Sequence, residues 1–215
     1  MDILKRIAEA LERGDDKVVA ELTRQAVDQN LGPRRILDEG LIAGMNVVGD
    51  KFRTHEIFLP DVLLAARAMY AGMDLVKPLI VEDQVPLVGK AVIGTVQGDL
   101  HDIGKNLVGI MLKGAGFEVI DLGNDVAPAA FVDAAVENDC PVIGMSALLT
   151  TTMPVMKRVV DLIDERGLKG KIRTIIGGAP VSANFAREIG ADAHAFDGVS
   201  AVDRIKALQP PGKAR

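Results

Sequence analysis

Asp99 and His101 stand two residues apart in TVQGDLHDIGKN (95–106), between Gly98 and Gly104, with Asp102 directly after the histidine. The other two histidines, His55 and His194, lie far off in sequence. A carboxylate at this spacing can accept from one imidazole nitrogen. That fixes the tautomer, raises the basicity of the ring and frees the other nitrogen to ligate a metal. A single histidine so prepared suits a metal that brings most of its own ligands, as the metal of a macrocycle does. Two other chemistries use similar residues. A phosphate-binding loop has four residues between its glycines and a Ser or Thr after its lysine; here five residues, 99–103, intervene and Asn106 follows Lys105. A hydrolytic metal centre would use His101 and Asp102 but needs several more ligands, and only His55 and His194 remain among the histidines. An Asp–His hydrogen bond that only pins a loop is the plain alternative.

The elements around the loop show why it is well placed. From Lys90 onward short apolar runs alternate with helical stretches. Strands are predicted at Ala91–Val96, Phe117–Asp121, Pro141–Ser146, Ile172–Ile176 and Ala193–Phe196, and helices at 104–115, 128–138, 153–166, 181–189 and 199–208. Five such units imply a doubly wound parallel sheet, in which ligands sit beyond the carboxyl ends of the strands, where strand order reverses. The 95–106 loop leaves the first strand at that end. Ser146-Ala147-Leu148 follows the third predicted strand and Gly177-Gly178 the fourth, so all three segments share one sheet edge.

The first eighty residues have a helical period instead. Ile3, Leu4, Ile7, Ala8 and Leu11 recur at helical spacing until Gly14, and Asp15 or Asp16 can cap a second helix carrying Val18, Val19, Leu22 and Val27. Pro33 sits at a first turn, where its missing N–H costs nothing, and opens a third helix to about Phe52. A fourth runs from Pro60 to about Val81. Short connections imply a four-helix antiparallel bundle. Residues 82–89 (EDQVPLVG) are acidic and hold a proline, so the boundary is expected there: bundle 1–81, linker 82–89, sheet domain 90–215.

Composition narrows the function classes. The 215 residues are 48% hydrophobic but only 3% aromatic, with no Trp, which implies a core of Val, Ile, Leu and Ala. A net charge of −5 with no cluster of Lys and Arg gives no footprint for nucleic acid. The apolar runs are too short to span a bilayer and the charged N-terminus is unlike a signal peptide, so a cytoplasmic protein with no membrane partner is expected. Cys140 is alone, which excludes a disulfide framework and a thiolate cage.

Taken in order, D-x-H-x-x-G (99–104), S-x-L (146–148) and GG (177–178) resemble the cobalamin-binding fingerprint of methionine synthase and the corrinoid methyl-carrier proteins. GDKFRTHEIFLPDVLLAARAM (49–69) looks like their helical cap. The resemblance implies a four-helix cap followed by a Rossmann-like domain, and a corrinoid bound base-off with His101 as the lower axial ligand to cobalt. Asp99 would be the partner of His101. Gly104, Ser146, Leu148, Gly177 and Gly178 would line the slot for the displaced nucleotide tail, with Gly98, Asp102 and Ile103 also at the cofactor. Thr150 and Thr152 would bond corrin amides or the tail, and Phe52 and Leu59 would shield the cobalt–methyl bond. No family ligand position falls on His194, read as a strand histidine with a local partner; His55, in the bundle turn, is read as solvated or near the edge of the cap. The implied function is a stand-alone carrier, the non-autonomous subunit of a methyltransferase system. It would move a methyl group from a substrate-specific methyltransferase to a second one acting on a thiol or tetrahydrofolate, with a reductive activator as a further partner. A cobalamin-dependent sensor is the rival, but the chain shows no basic recognition helix; a mutase small subunit would lack the bundle.

Overall fold

The computed structural model describes residues 2–82 and 88–210, with the side chains of 80–82 left aside. The chain divides into two compact units, one made by the helices before the sheet and one that holds the sheet. The linker expected at 82–89 falls, for residues 83–87, outside the described residues.

In the helical unit, α1 (Ile3–Glu12) is capped by Asp2, whose carboxylate accepts from Leu4 N–H, and α2 (Asp16–Asp28) by Asp15, which accepts from Val18 N–H. The third expected helix is one continuous rod whose middle is not α-helical. It begins as α3 (Pro33–Arg35), passes through a π-helical segment (Ile36–Ile42) and continues as α4 (Ala43–Arg53). The wider turns occur where α1 comes close. A β-carbon on Gly40 would lie 3.3 Å from Ile7 Cγ2, and one on Gly44 would lie 2.8 Å from the Ala8 carbonyl oxygen. After a turn, α5 (Leu59–Glu82) runs along α2. Leu4, Ile7, Leu11, Leu22, Ile36 and Leu41 form a buried aliphatic centre.

The sheet unit consists of β1 (Gly89–Thr95), α6 (Ile103–Gly114), β2 (Phe117–Asp121), α7 (Pro128–Glu137), β3 (Val142–Ser146), α8 (Pro154–Glu165), β4 (Arg173–Gly177), α9 (Ala183–Ile189), β5 (Ala193–Ala195) and α10 (Gly198–Leu208). All pairings are parallel and the order is β2-β1-β3-β4-β5. The chain thus leaves β1 in one direction to form β2 and returns to the other side to form β3. The reversal falls between β1 and β3, which opens a crevice at their carboxyl ends. The central strands are buried on both faces, as parallel strands under helices must be, so Rossmann-like strands read as continuous apolar runs.

Candidate functional site

At the reversal point Asp99 joins the two loops that bound the crevice. Its side chain is fully buried. Oδ1 accepts from the backbone N–H of His101 at 3.0 Å and lies 2.7 Å from His101 Nδ1. Oδ2 accepts from the N–H groups of Leu148 and Leu149 at 2.7 and 3.1 Å, and from Thr152 Oγ1 at 2.9 Å. Burial alone would push this carboxyl's pKa up. The hydrogen bonds from Leu148 N–H, from the backbone and ring of His101 and from Leu149 N–H outweigh it, and hold the pKa far below its ordinary value of 3.8. An ionised carboxylate can only accept, so Nδ1 of His101 must carry a proton, and in the neutral ring it is Nε2 that has the lone pair. The His101 side chain is 52% exposed. The ring therefore presents a basic nitrogen outward with its tautomer fixed from behind.

The segment after β2 braces the same loop from the other side. Asp125 Oδ1 accepts from Gly98 N–H at 2.7 Å and Asp125 N–H donates to the Asp99 carbonyl at 3.1 Å, a reciprocal pair. Thr95, fully buried at the end of β1, donates its hydroxyl to the His101 carbonyl at 3.2 Å. In the first turn of α6 the Lys105 side chain, 4% exposed, reaches Asp121 Oδ1 at 2.6 Å.

The small residues form a floor. Register pairs Thr95 with Ser146, Ser146 with Gly177 and Gly177 with Ala195, a row across four strand ends. Gly178 has φ +126°, and a β-carbon there would sit 1.9 Å from the Ala147 carbonyl oxygen, so only glycine fits this close approach. A β-carbon on Gly104 would meet nothing within 4 Å. Around His101 large apolar side chains face outward: Leu100 is 69% and Ile103 74% exposed, and Leu148 and Leu149 are also exposed.

The structure thus brings Gly98, Asp99, His101, Asp102, Ile103, Gly104, Ser146, Leu148, Gly177 and Gly178 to one edge of the sheet. Thr150 is exposed just beyond β3. Thr152 differs from the expectation that it would bond a ligand: it is buried, and its hydroxyl lies between Asp99 Oδ2 and the Leu149 carbonyl oxygen. The turn that exposes Thr150 carries Thr152 back beneath the loop. Phe52 and Leu59 are half-buried in the helical unit, whereas Phe58 between them is largely exposed. His194 Nε2 meets the Val181 carbonyl oxygen at 3.1 Å, the local partner expected of it, and His55 is exposed at φ +61°. Sequence reading missed Thr95, Leu149, Asp121 and Asp125. Lys105 fits no phosphate loop but pairs with Asp121; its place beside Gly104 is the one sequence signal that it belongs to the site. Among the described residues no three His, Cys, Asp or Glu side chains converge to hold a metal ion, so a hydrolytic centre has no ligand set there. Among them, too, no helix is long and apolar enough to cross a membrane.

Comparison with known proteins accords with this geometry. Residues 89–206 match the model of a B12 binding domain, and residues 3–77 match a second model of the same description. The chain is 41% identical over 206 residues to a corrinoid protein of Desulfitobacterium hafniense, which covers 94% of this chain and 95% of that one. It is 39% identical to trimethylamine corrinoid protein 1 of Methanosarcina mazei, over 96% of each chain. A chain in the crystal structure of the methanol:cobalamin methyltransferase complex from Methanosarcina barkeri matches it with a TM-score of 0.84 and 31% identity, over 95% of this chain and 80% of that chain. This chain belongs to the B12-binding corrinoid proteins.

Proposed function

We propose that this protein is the methyl-carrying corrinoid subunit of a cobalamin-dependent methyltransferase system. It accepts a methyl group at a substrate-specific methyltransferase and delivers it at a second one that acts on a thiol or tetrahydrofolate. A reductive activator is its third partner, and the system works in the cytoplasm. Bound corrinoid supplies a cobalt that takes up and gives up the methyl group; the rest falls to the chain's own residues.

What carries this reading is the contact of His101 Nδ1 with a buried, ionised Asp99, which leaves Nε2 as an outward base in the crevice. The surroundings fit the group. A corrin face is broad and apolar at its rim, and Leu100, Ile103 and Leu148 are large apolar side chains exposed around the ring. A nucleotide tail needs a narrow slot, and the row Thr95, Ser146, Gly177, Ala195 puts only small side chains at four strand ends, which supports one there. In this reading His101 Nε2 is the lower axial ligand, base-off and His-on, and Asp99 holds the proton on Nδ1. Gly104, Ser146, Leu148, Gly177 and Gly178 line the tail slot, with Gly98, Asp102, Ile103 and Thr150 at its mouth. Residues 1–81 are the cap, with Phe52 and Leu59 the residues that exclude water and oxygen, and 90–215 are the cofactor domain.

The test is electron paramagnetic resonance of the cobalt(II) form after reconstitution with cobalamin. Wild type should show one axial nitrogen that survives when cobinamide, which lacks the nucleotide base, replaces cobalamin. His101→Ala should lose that nitrogen. An unchanged nitrogen splitting in His101→Ala loaded with cobinamide would refute the assignment.

A further inference from the structure

The histidine loop is held from two sides. On one side Leu148, Leu149 and Thr152 grip Asp99. The other side is built by residues 121–125 (DLGND), and no ligand role in the proposed site accounts for them. Thr95 N–H donates to the Gly123 carbonyl at 2.9 Å and Val126 N–H to the Thr95 carbonyl at 3.0 Å, so the segment runs beside the end of β1. Asp125 then makes its reciprocal pair with the Gly98–Asp99 backbone. To do so it takes φ +53°, the left-handed region that a residue other than glycine enters at a cost. Lys105 is the second anomaly. A buried cation in the first turn of a helix is disfavoured by desolvation and by the helix dipole. Asp121 Oδ1 offsets both at 2.6 Å, while the same oxygen accepts from Gly123 N–H at 2.9 Å and so ties the lysine to the turn. The brace therefore grips the loop before Asp99, through Gly98, and after His101, through Lys105.

We propose that Asp121–Asp125 forms a clasp, with Asp125 and the Lys105–Asp121 pair as positioning residues, that sets the height and tilt of His101 above the sheet edge and so its reach to cobalt. The proposal rests on the reading of His101 as the axial ligand. With the clasp open, Asp99 still fixes the tautomer, but the loop that carries both residues can lift from the crevice.

Asp125→Gly is the decisive variant, because glycine suits φ +53° without strain and removes the carboxylate acceptor. Asp125→Asn keeps an acceptor oxygen and should behave as wild type. Lys105→Met keeps the bulk of the lysine and removes its charge. In the cofactor-free protein, Asp125→Gly should speed hydrogen exchange at the Gly98 and His101 amides. After reconstitution with cobalamin it should weaken binding by about 10–100-fold, the usual size of an outer-partner loss at a metal site. The cobalt(II) spectrum should show a reduced fraction with the His101 nitrogen, and Lys105→Met should follow the same trend. Wild-type affinity and splitting in Asp125→Gly overturn the clasp. So does weaker binding with the splitting intact, or a loss that Asp125→Asn shares. Absence of a His101 nitrogen in the wild-type spectrum is a different failure, that of the axial-ligand reading itself.

Discussion

Protonating the buried Asp99 would turn one Oδ atom into an O–H donor that faces other donors and would weaken it as an acceptor. Its pKa in the folded chain lies below the value of 3.8 that it regains on unfolding. The unfolded state therefore binds the proton first as pH falls, so the stability this carboxylate supplies is full above about pH 4 and drains away below it. Asp99→Asn replaces one acceptor oxygen by a donor facing Leu148 and Leu149, or facing His101. At neutral pH it should cost on the order of 1–3 kcal/mol per donor left unpaired. Urea unfolding should show the gap to wild type narrowing at about pH 3, because the wild-type advantage is then titrated away; a gap independent of pH would mean that the charge is immaterial. Two glycines on the same edge make a second contrast. Gly178→Ala puts a methyl group on the Ala147 carbonyl oxygen and should destabilise strongly, by about 3 kcal/mol or more. Gly104→Ala meets open space in a helix, where alanine is favoured by about 1 kcal/mol, so the melting point should hold or rise. If Gly104 lines the tail slot, that stable variant should nevertheless bind cobalamin more weakly in an equilibrium titration. At this scale the sequence was partly readable. The Asp99–His101 pair is local, and a spacing of two decides it. The grip of Thr152 depends on how residues 147–152 turn, and no local pattern specifies that path.

Among the elements, the strands were legible to within a residue or two because buried parallel strands are unbroken apolar runs between turn residues. Their lateral order was not, since five βα units are compatible with more than one order; pairing β3 rather than β2 next to β4 is settled only by packing across the sheet. The third helix shows a similar limit. Its apolar period predicts a helix from Pro33 to about Phe52, which the chain forms, but it does not predict the π-helical turns at Ile36–Ile42, which coincide with the close approach of α1 at Gly40. Such contact between distant segments leaves no mark in the period. It does make a prediction: Gly44→Ala, favourable by helix propensity, should be net destabilising by roughly 1–3 kcal/mol in urea unfolding, because its β-carbon would meet the Ala8 backbone at 2.8–2.9 Å.

For the whole molecule, the matched families assign B12 binding domain models to residues 3–77 and 89–206 separately, and the charged and small residues of the candidate site all belong to the second. Hydrogen exchange with saturating cobalamin should accordingly slow the amides of 98–104, 146–152 and 177–178. Slowing that also reaches residues 54–58, between α4 and α5, would support the cap role of Phe52 and Leu59; exchange there that ignores the cofactor would count against it. The grip on Asp99 also sets an order of events in time. Its Oδ2 partners Leu148, Leu149 and Thr152 lie 49, 50 and 53 residues further along the chain. During synthesis β1, the histidine and β2 are made well before those partners exist. Contacts that close such long loops form late and slowly. A ribosome-bound chain ending near residue 140 would hold His101 without the Leu148, Leu149 and Thr152 groups that fix Asp99 in place, so competence to take up the corrinoid should appear only after the stretch through Thr152 has emerged and β3 has docked beside β1.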